Sequence, residues 1–139
     1  MKVRNLLDPV PIWLPQGMAL IRMILGGLVV YHGQEVFNSE LMSGYITWDT
    51  FKNPYGKFMV YLGKSSELLA GLLLLLGLFT RVGALFLMGT LTYVTFFVGN
   101  GKFWYEDQHP FMFVLLGLVF FLHGPGSWSL DEFISRRQH

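Results

Sequence analysis

The sequence predicts an all-α fold of the integral membrane kind, a four-helix bundle, and three observations predict it. The first is composition. Of 139 residues, 53% are hydrophobic and 14% charged, where ordinary globular chains carry about 25% charged residues. The second is the placing of the charges. Val82 to Gly101 is twenty residues without a formal charge, and Pro110 to Leu130 is twenty-one with His123 as the single titratable group. Ser65 to Thr80 carries only Glu67 and holds the run Leu72 to Leu76, and Met23 to Gln34 is uncharged with His32 inside it. The third is the missing polar stripe, which a soluble amphipathic helix keeps on its outer face. A span takes about 20 apolar residues, so helices are expected over roughly 17–37, 57–79, 82–100 and 109–125.

Each element has a local reason. Lys2 and Arg4 are followed by Asp8, Pro9, Pro11 and Pro15 with no small-residue cleavage site, so a cleavable signal is not expected. Residues 1–15, with Trp13, are expected to lie at the headgroups. The first span then starts near Pro15, because proline is tolerated in a first helical turn. The stretch 38–56 is read as a long loop whose Tyr45, Trp48, Phe51 and Tyr55 form an aromatic belt or a lid over the bundle mouth. Phe79 to Val82 is too short a connection for anything but antiparallel neighbours. Gly63, Gly71, Gly77, Gly83, Gly89 and Gly117 are expected to thin the helices for close approach. Gly124-Pro125-Gly126 ends the last span, and Ser129 caps a short helix in a tail over 127–139. The whole chain, 1–139, reads as one domain.

Composition also removes function classes. A net charge of +1 excludes an electrostatic nucleic-acid binder. Zero cysteines exclude thiolate metal sites and disulfides within the chain. No metal site is expected, since Glu106, Asp107 and His109 match no ligand template. Phosphate-loop, dinucleotide and hydrolase motifs are absent. Basic residues set the orientation. Lys2, Arg4, Arg81, Arg136 and Arg137 share one side, against Lys52, Lys57 and Lys102 on the other. Both termini are therefore expected to be cytoplasmic in a multi-pass plasma-membrane protein.

Ionisable groups inside a bilayer are costly and are functional candidates by default. Arg22 lies in the first helix on a face with Gly26, Val29 and Gly33 that suits tight helix packing. It is read either as snorkelling to the inner headgroups or hydrogen-bonded to carbonyls, or as a buried contact for an anion, a carbonyl or a quinone. Lys64 and Glu67 share a face at i,i+3. Antiparallel packing brings His32 level with Lys64, with Glu67 a turn deeper and Glu35 a turn above. Arg22, His32, Lys64 and Glu67 are thus the candidates for catalysis and, with His109, for cofactor binding. The bland reading of the same cluster is a structural ion-pair network. His109 comes level with His32, a spacing that admits a single bis-imidazole haem, although the deeper His123 has no second histidine opposite it.

Three blocks carry a resemblance. They are Arg22-x3-Gly26 with Tyr31-His32-Gly33, then Glu67-x3-Gly71-x5-Gly77-x2-Thr80-Arg81, then Gly124-Pro125-Gly126-x2-Ser129-Leu130-Asp131. Over roughly residues 18–132 the chain resembles the DoxX/DoxD family of small prokaryotic membrane proteins. The resemblance implies a four-helix membrane protein linked to quinone-dependent redox chemistry, since the family includes the small subunit of thiosulfate:quinone oxidoreductase. It implies a quinone as the cofactor to expect and a redox subunit as a partner beside the lipid bilayer, with self-association open. One departure is Glu35, where many members carry lysine. Two functions are therefore expected. One is a quinone-linked oxidoreductase subunit or accessory. The other is a non-catalytic scaffold or small-molecule carrier with structural buried charges.

Overall fold

A computed structural model describes residues 8–138. Lys2, Arg4, the first part of the expected interfacial segment and His139 lie outside the described residues. Helix α1 (Leu14–Gly33) has Pro15 in its first turn and continues through a 3-10 turn, Gln34–Phe37. The stretch read as a loop is largely helical. Asn38 caps α2 (Ser39–Ile46) by accepting from the amides of Glu40 and Leu41, and a 3-10 turn follows at Asp49–Phe51. Helix α3 spans Gly56–Leu76 and α4 spans Thr80–Tyr93. Helix α4 widens into one π-helical turn at Val94–Val98. There the hydroxyl of Thr95 donates to the carbonyl of Leu91 at 2.7 Å, a back-bond that bends helices. Helix α5 (Gln108–His123) and the short α6 (Leu130–Arg136) complete the chain. Ser129 caps α6, its hydroxyl accepting from the amide of Glu132, as its sequence predicts.

The described residues contain no strand. Leu14–Phe37, Gly56–Leu76 and Thr80–Val98 are long and apolar enough to cross a membrane. Helix α5 is apolar throughout but has 16 residues. It is about 24 Å long, short of the roughly 30 Å hydrocarbon core. Large apolar side chains such as Leu20, Ile24, Leu62, Phe86 and Leu122 point outward and are 41–69% exposed. A surface this apolar around the waist of a bundle is a lipid-facing surface.

Helix α1 packs on α3, α3 on α4 and α4 on α5. Their shared core is Leu25, Val29, Ala70, Leu74, Ala84, Leu87 and Phe120, so all four long helices contribute. We call the end where α1 finishes and α3 begins the upper end. There α2 and the 3-10 turn lay Met42 and Phe51 on Val60, with Tyr45 and Tyr93 around them, in a second small core. The aromatic segment is therefore a folded cap on the bundle.

The α1–α3 crossing is the tightest contact. Gly26 and Gly33 of α1 and Gly71 of α3 meet backbone of the facing helix where a Cβ would stand. Gly63 and Gly89, expected to serve the same purpose, have open space beyond them. Gly33→Ala is expected to push α1 off Leu68 and destabilise the bundle by about 1–3 kcal/mol. Thermal unfolding in detergent measures this. A Gly33→Ala melting point equal to wild type would show that the helices have room.

Candidate functional site

The four residues that the sequence groups together do not all meet. His32, Lys64 and Glu67 converge at the upper end with His109, whereas Arg22 lies at the lower end. Ten residues separate Arg22 from His32 on α1, about 15 Å along the axis.

At the upper end Lys64 bridges two helices. Its ammonium contacts Glu35 Oε2 at 2.9 Å and Glu67 Oε2 at 3.0 Å. The same ammonium stands 5.2 Å over the ring of Tyr45, a cation–π contact. Tyr45 in turn donates its hydroxyl to Glu35 Oε2 at 2.7 Å. Burial, then the Glu35 carboxylate, push the Tyr45 phenol above its ordinary pKa, so it stays protonated and donating at neutral pH. Tyr45 was placed by the sequence in a belt or lid, and its part in this network is new. The signal available was its spacing from the Asn38 cap, which sets α2 and hence the direction of the ring.

Glu67 is the most buried member, 7% exposed. Only its Oε2 is engaged. Among the described residues no fully buried side-chain nitrogen or oxygen lacks a partner, so Oε1 is not sealed in the core. Glu67 lines a cavity of about 200 Å³ whose walls also include His32, Lys64, His109, Val94 and Phe113. Val94, among its walls, is the first residue of the π-helical turn, and such turns recur at functional sites. His32 and His109 are exposed and stand at the cavity mouth, their rings edge to face with centroids 6.2 Å apart. The cavity therefore joins a carboxylate oxygen, an ammonium and two imidazoles to apolar walls. It is smaller than the roughly 300–1,000 Å³ of common ligand clefts. A six-membered ring with polar substituents suits it better than a porphyrin plane does, so the haem spacing leads to no step here.

At the lower end the fully buried Arg22 spends its donors on main-chain carbonyls. Nη1 bonds Leu74 at 2.7 Å and Leu75 at 3.2 Å, at the C-terminus of α3. Nε bonds Pro125 at 2.9 Å, and Nη2 bonds Trp128 at 2.9 Å and Ser127 at 3.4 Å. Of the sequence readings of Arg22, the carbonyl-bonded one describes this geometry, and a side chain wholly buried among carbonyls does not snorkel to the headgroups. Gly77 ends α3 with φ 65°, and a Cβ there would run into the Arg22 guanidinium. Asp131 completes the lower end. Its carboxylate accepts from the amides of Phe79 and Thr80 at 2.7 and 2.9 Å, and from the Thr80 hydroxyl at 3.0 Å. Carboxylates cap helix N-termini in this way, here from a segment 51 residues distant.

Glu106 and Asp107 turn away from His109. Asp107 accepts from the amides of Asn100 and Lys102, and Glu106 from Asn100 Nδ2. Among the described residues no three His, Asp or Glu side chains gather as metal ligands.

Apolar helices around a small polar cavity, closed at the other end by a buried arginine, define a multi-helix membrane protein. The DoxX family model matches residues 17–100. An uncharacterized membrane protein of Mycobacterium tuberculosis is 31% identical over 137 residues, covering 88% of this chain and 84% of its own. An uncharacterized protein of Haemophilus influenzae is 27% identical over 125 residues, covering 85% and 90%. The chain belongs to the DoxX family. No solved structure matches it.

Proposed function

We propose that this membrane protein is a subunit of, or an accessory to, a quinone-linked oxidoreductase, and that a quinone headgroup sits in the upper cavity. The observation that carries the reading is Glu67, a carboxylate with only Oε2 engaged, on the wall of a cavity shared with the Lys64 ammonium and the His32 and His109 imidazoles. Lys64 and the ring N–H groups of His32 and His109 suit a carbonyl oxygen. Glu67 Oε1 suits a hydroxyl, from which it accepts a hydrogen bond and then a proton. A bound quinone supplies two-electron, two-proton redox chemistry. The chain's own part is to orient the ring, keep bulk water out and receive or return protons. Electrons pass to a partner subunit. In this reading the protein sits in the plasma membrane with both termini cytoplasmic. Arg81, Arg136 and Arg137 beside the lower end support that orientation.

The scaffold or carrier reading has its own support in Arg22, whose guanidinium is wholly engaged by the backbone. A purely structural scaffold has no use for a carboxylate on a cavity wall.

Solvent extraction of detergent-purified protein, followed by mass spectrometry and a visible spectrum, tests the proposal. Quinone at one per chain is the expected result. Phospholipid alone would turn the assignment to scaffold. Glu67→Gln is expected to keep the fold, because Lys64 retains Glu35, and to cost at most about 1 kcal/mol of stability. The same substitution is expected to lower quinone retention about tenfold. Unchanged retention would remove Glu67 from the site.

A further inference from the structure

The Lys64 contacts form one continuous line. The Tyr45 hydroxyl meets Glu35 Oε2 at 2.7 Å, Lys64 Nζ meets the same oxygen at 2.9 Å, and Nζ meets Glu67 Oε2 at 3.0 Å. Side-chain exposure falls along it, from 22% at Glu35 to 17% at Lys64 and 9% at Glu67. The outer end opens on a surface recess that Glu35 lines with Gln34, Asn38 and Ser39. The inner end, Glu67, is a wall of the histidine cavity. We infer that Glu35, Lys64 and Glu67 are a proton relay joining that cavity to the upper face of the protein.

Charge is the first argument. Two carboxylates share one ammonium, so the cluster becomes neutral by taking up one proton. Groups coupled this closely titrate as a unit, and that proton belongs to both carboxylates. A bridge that only held helices together would be complete with one of them. From protonated Glu67, the carboxyl proton passes to Nζ as an Nζ proton passes to Glu35 Oε2. One O–H and one N–H bond break, one N–H and one O–H bond form, and Lys64 is an ammonium before and after. No electron moves. Glu35 then gives its proton to bulk water at the recess, and the reverse sequence brings one in. Tyr45, which donates to the same Glu35 oxygen, is a positioning residue. Position is the second argument. Glu35 is not among the cavity walls, so its contact with Lys64 stays clear when the cavity is filled. The mouth at His32 and His109 is the part that a ligand covers.

The relay rests on the reading of Glu67 as the cavity's proton acceptor, but its test needs no quinone. The experiment is time-resolved infrared spectroscopy after a pH jump, on the full chain in detergent with quinone extracted. The carboxylic-acid band that Glu67→Gln removes reports Glu67, and in the wild type it is expected to follow the jump. Glu35→Gln is expected to slow that response about tenfold or more. Its melting point is expected to match wild type, because Lys64 retains Glu67. Glu35→Asp, which restores a titratable group, is expected to recover part of the rate, and Tyr45→Phe to slow it less than Glu35→Gln. His32, Tyr93 and His109 are the other titratable groups around the cluster. Replacing both histidines by glutamine is expected to leave the rate unchanged. A Glu35→Gln response as fast as wild type would overturn the relay, and a response slowed by the histidine changes instead would put the proton path at the mouth. A Glu67 band that ignores pH would overturn it as well. Quinone retention is read separately on the unextracted protein, so failure of the relay and failure of the quinone reading are distinct results.

Discussion

Arg22→Leu is expected to give the largest loss of stability of any single substitution in this protein, more than about 3 kcal/mol. The guanidinium is fully buried and joins three parts of the chain: α1, the end of α3 and the segment 125–128. Leucine fills part of the space but donates nothing. The carbonyls of Leu74, Pro125 and Trp128 then lose their charged donor, each at a cost of about 1–3 kcal/mol where water cannot replace it. Arg22→Lys is expected to recover less than half. A single ammonium cannot reproduce the planar fork that serves Nε, Nη1 and Nη2 at once. Thermal unfolding followed by size-exclusion in detergent reads both variants. Wild-type melting of Arg22→Leu would mean that the carbonyls find other donors.

Lys64→Met comes next, with an expected loss of about 3–5 kcal/mol. Methionine removes the cation between Glu35 and Glu67 and leaves two carboxylates near each other in a partly buried setting. The loss is electrostatic, so a second change should offset it. Lys64→Met combined with Glu67→Gln is expected to be more stable than Lys64→Met alone. A double variant no better than the single one would trace the loss to packing of the lysine stem. Glu67→Gln by itself leaves the Lys64–Glu35 contact standing and is expected to be mild. The three variants form a cycle whose coupling energy measures the pair.

The helices were legible because a bilayer requires long uncharged runs, and four such runs stand out. Their ends were less so. Residues 77–79 read as helix by hydropathy, yet Gly77 adopts a left-handed conformation and stops α3. The helix in the aromatic segment was missed because eight residues carry too little periodicity, although Asn38-Ser39-Glu40 is a good capping signal. His32, Lys64 and Glu67 could be brought together because antiparallel helices convert sequence distance into height. The same arithmetic does not say which way a side chain reaches. Arg22 therefore entered the group on chemistry alone, and only the fold of residues 124–131, a non-local contact, takes it out. The motif blocks behind the family resemblance are largely this lower-end lock. Arg22, Gly77, Thr80 and Asp131 hold one another, so those blocks record architecture more than chemistry.

The Arg22 contacts also set an order of events during biosynthesis. Its partner Pro125 is 103 residues downstream, which at about 5–20 residues per second is on the order of 5–20 s of translation. Through that interval the first helix carries a charged arginine in its lower half, and an unpartnered charge there opposes insertion. The charge must rest at the lipid headgroups or against the insertion machinery until residues 125–128 arrive. Helix α1 is thus delivered to the membrane long before its arginine is secured there. The arrival of that segment, and not the entry of α1 itself, is the step that locks Arg22 in place.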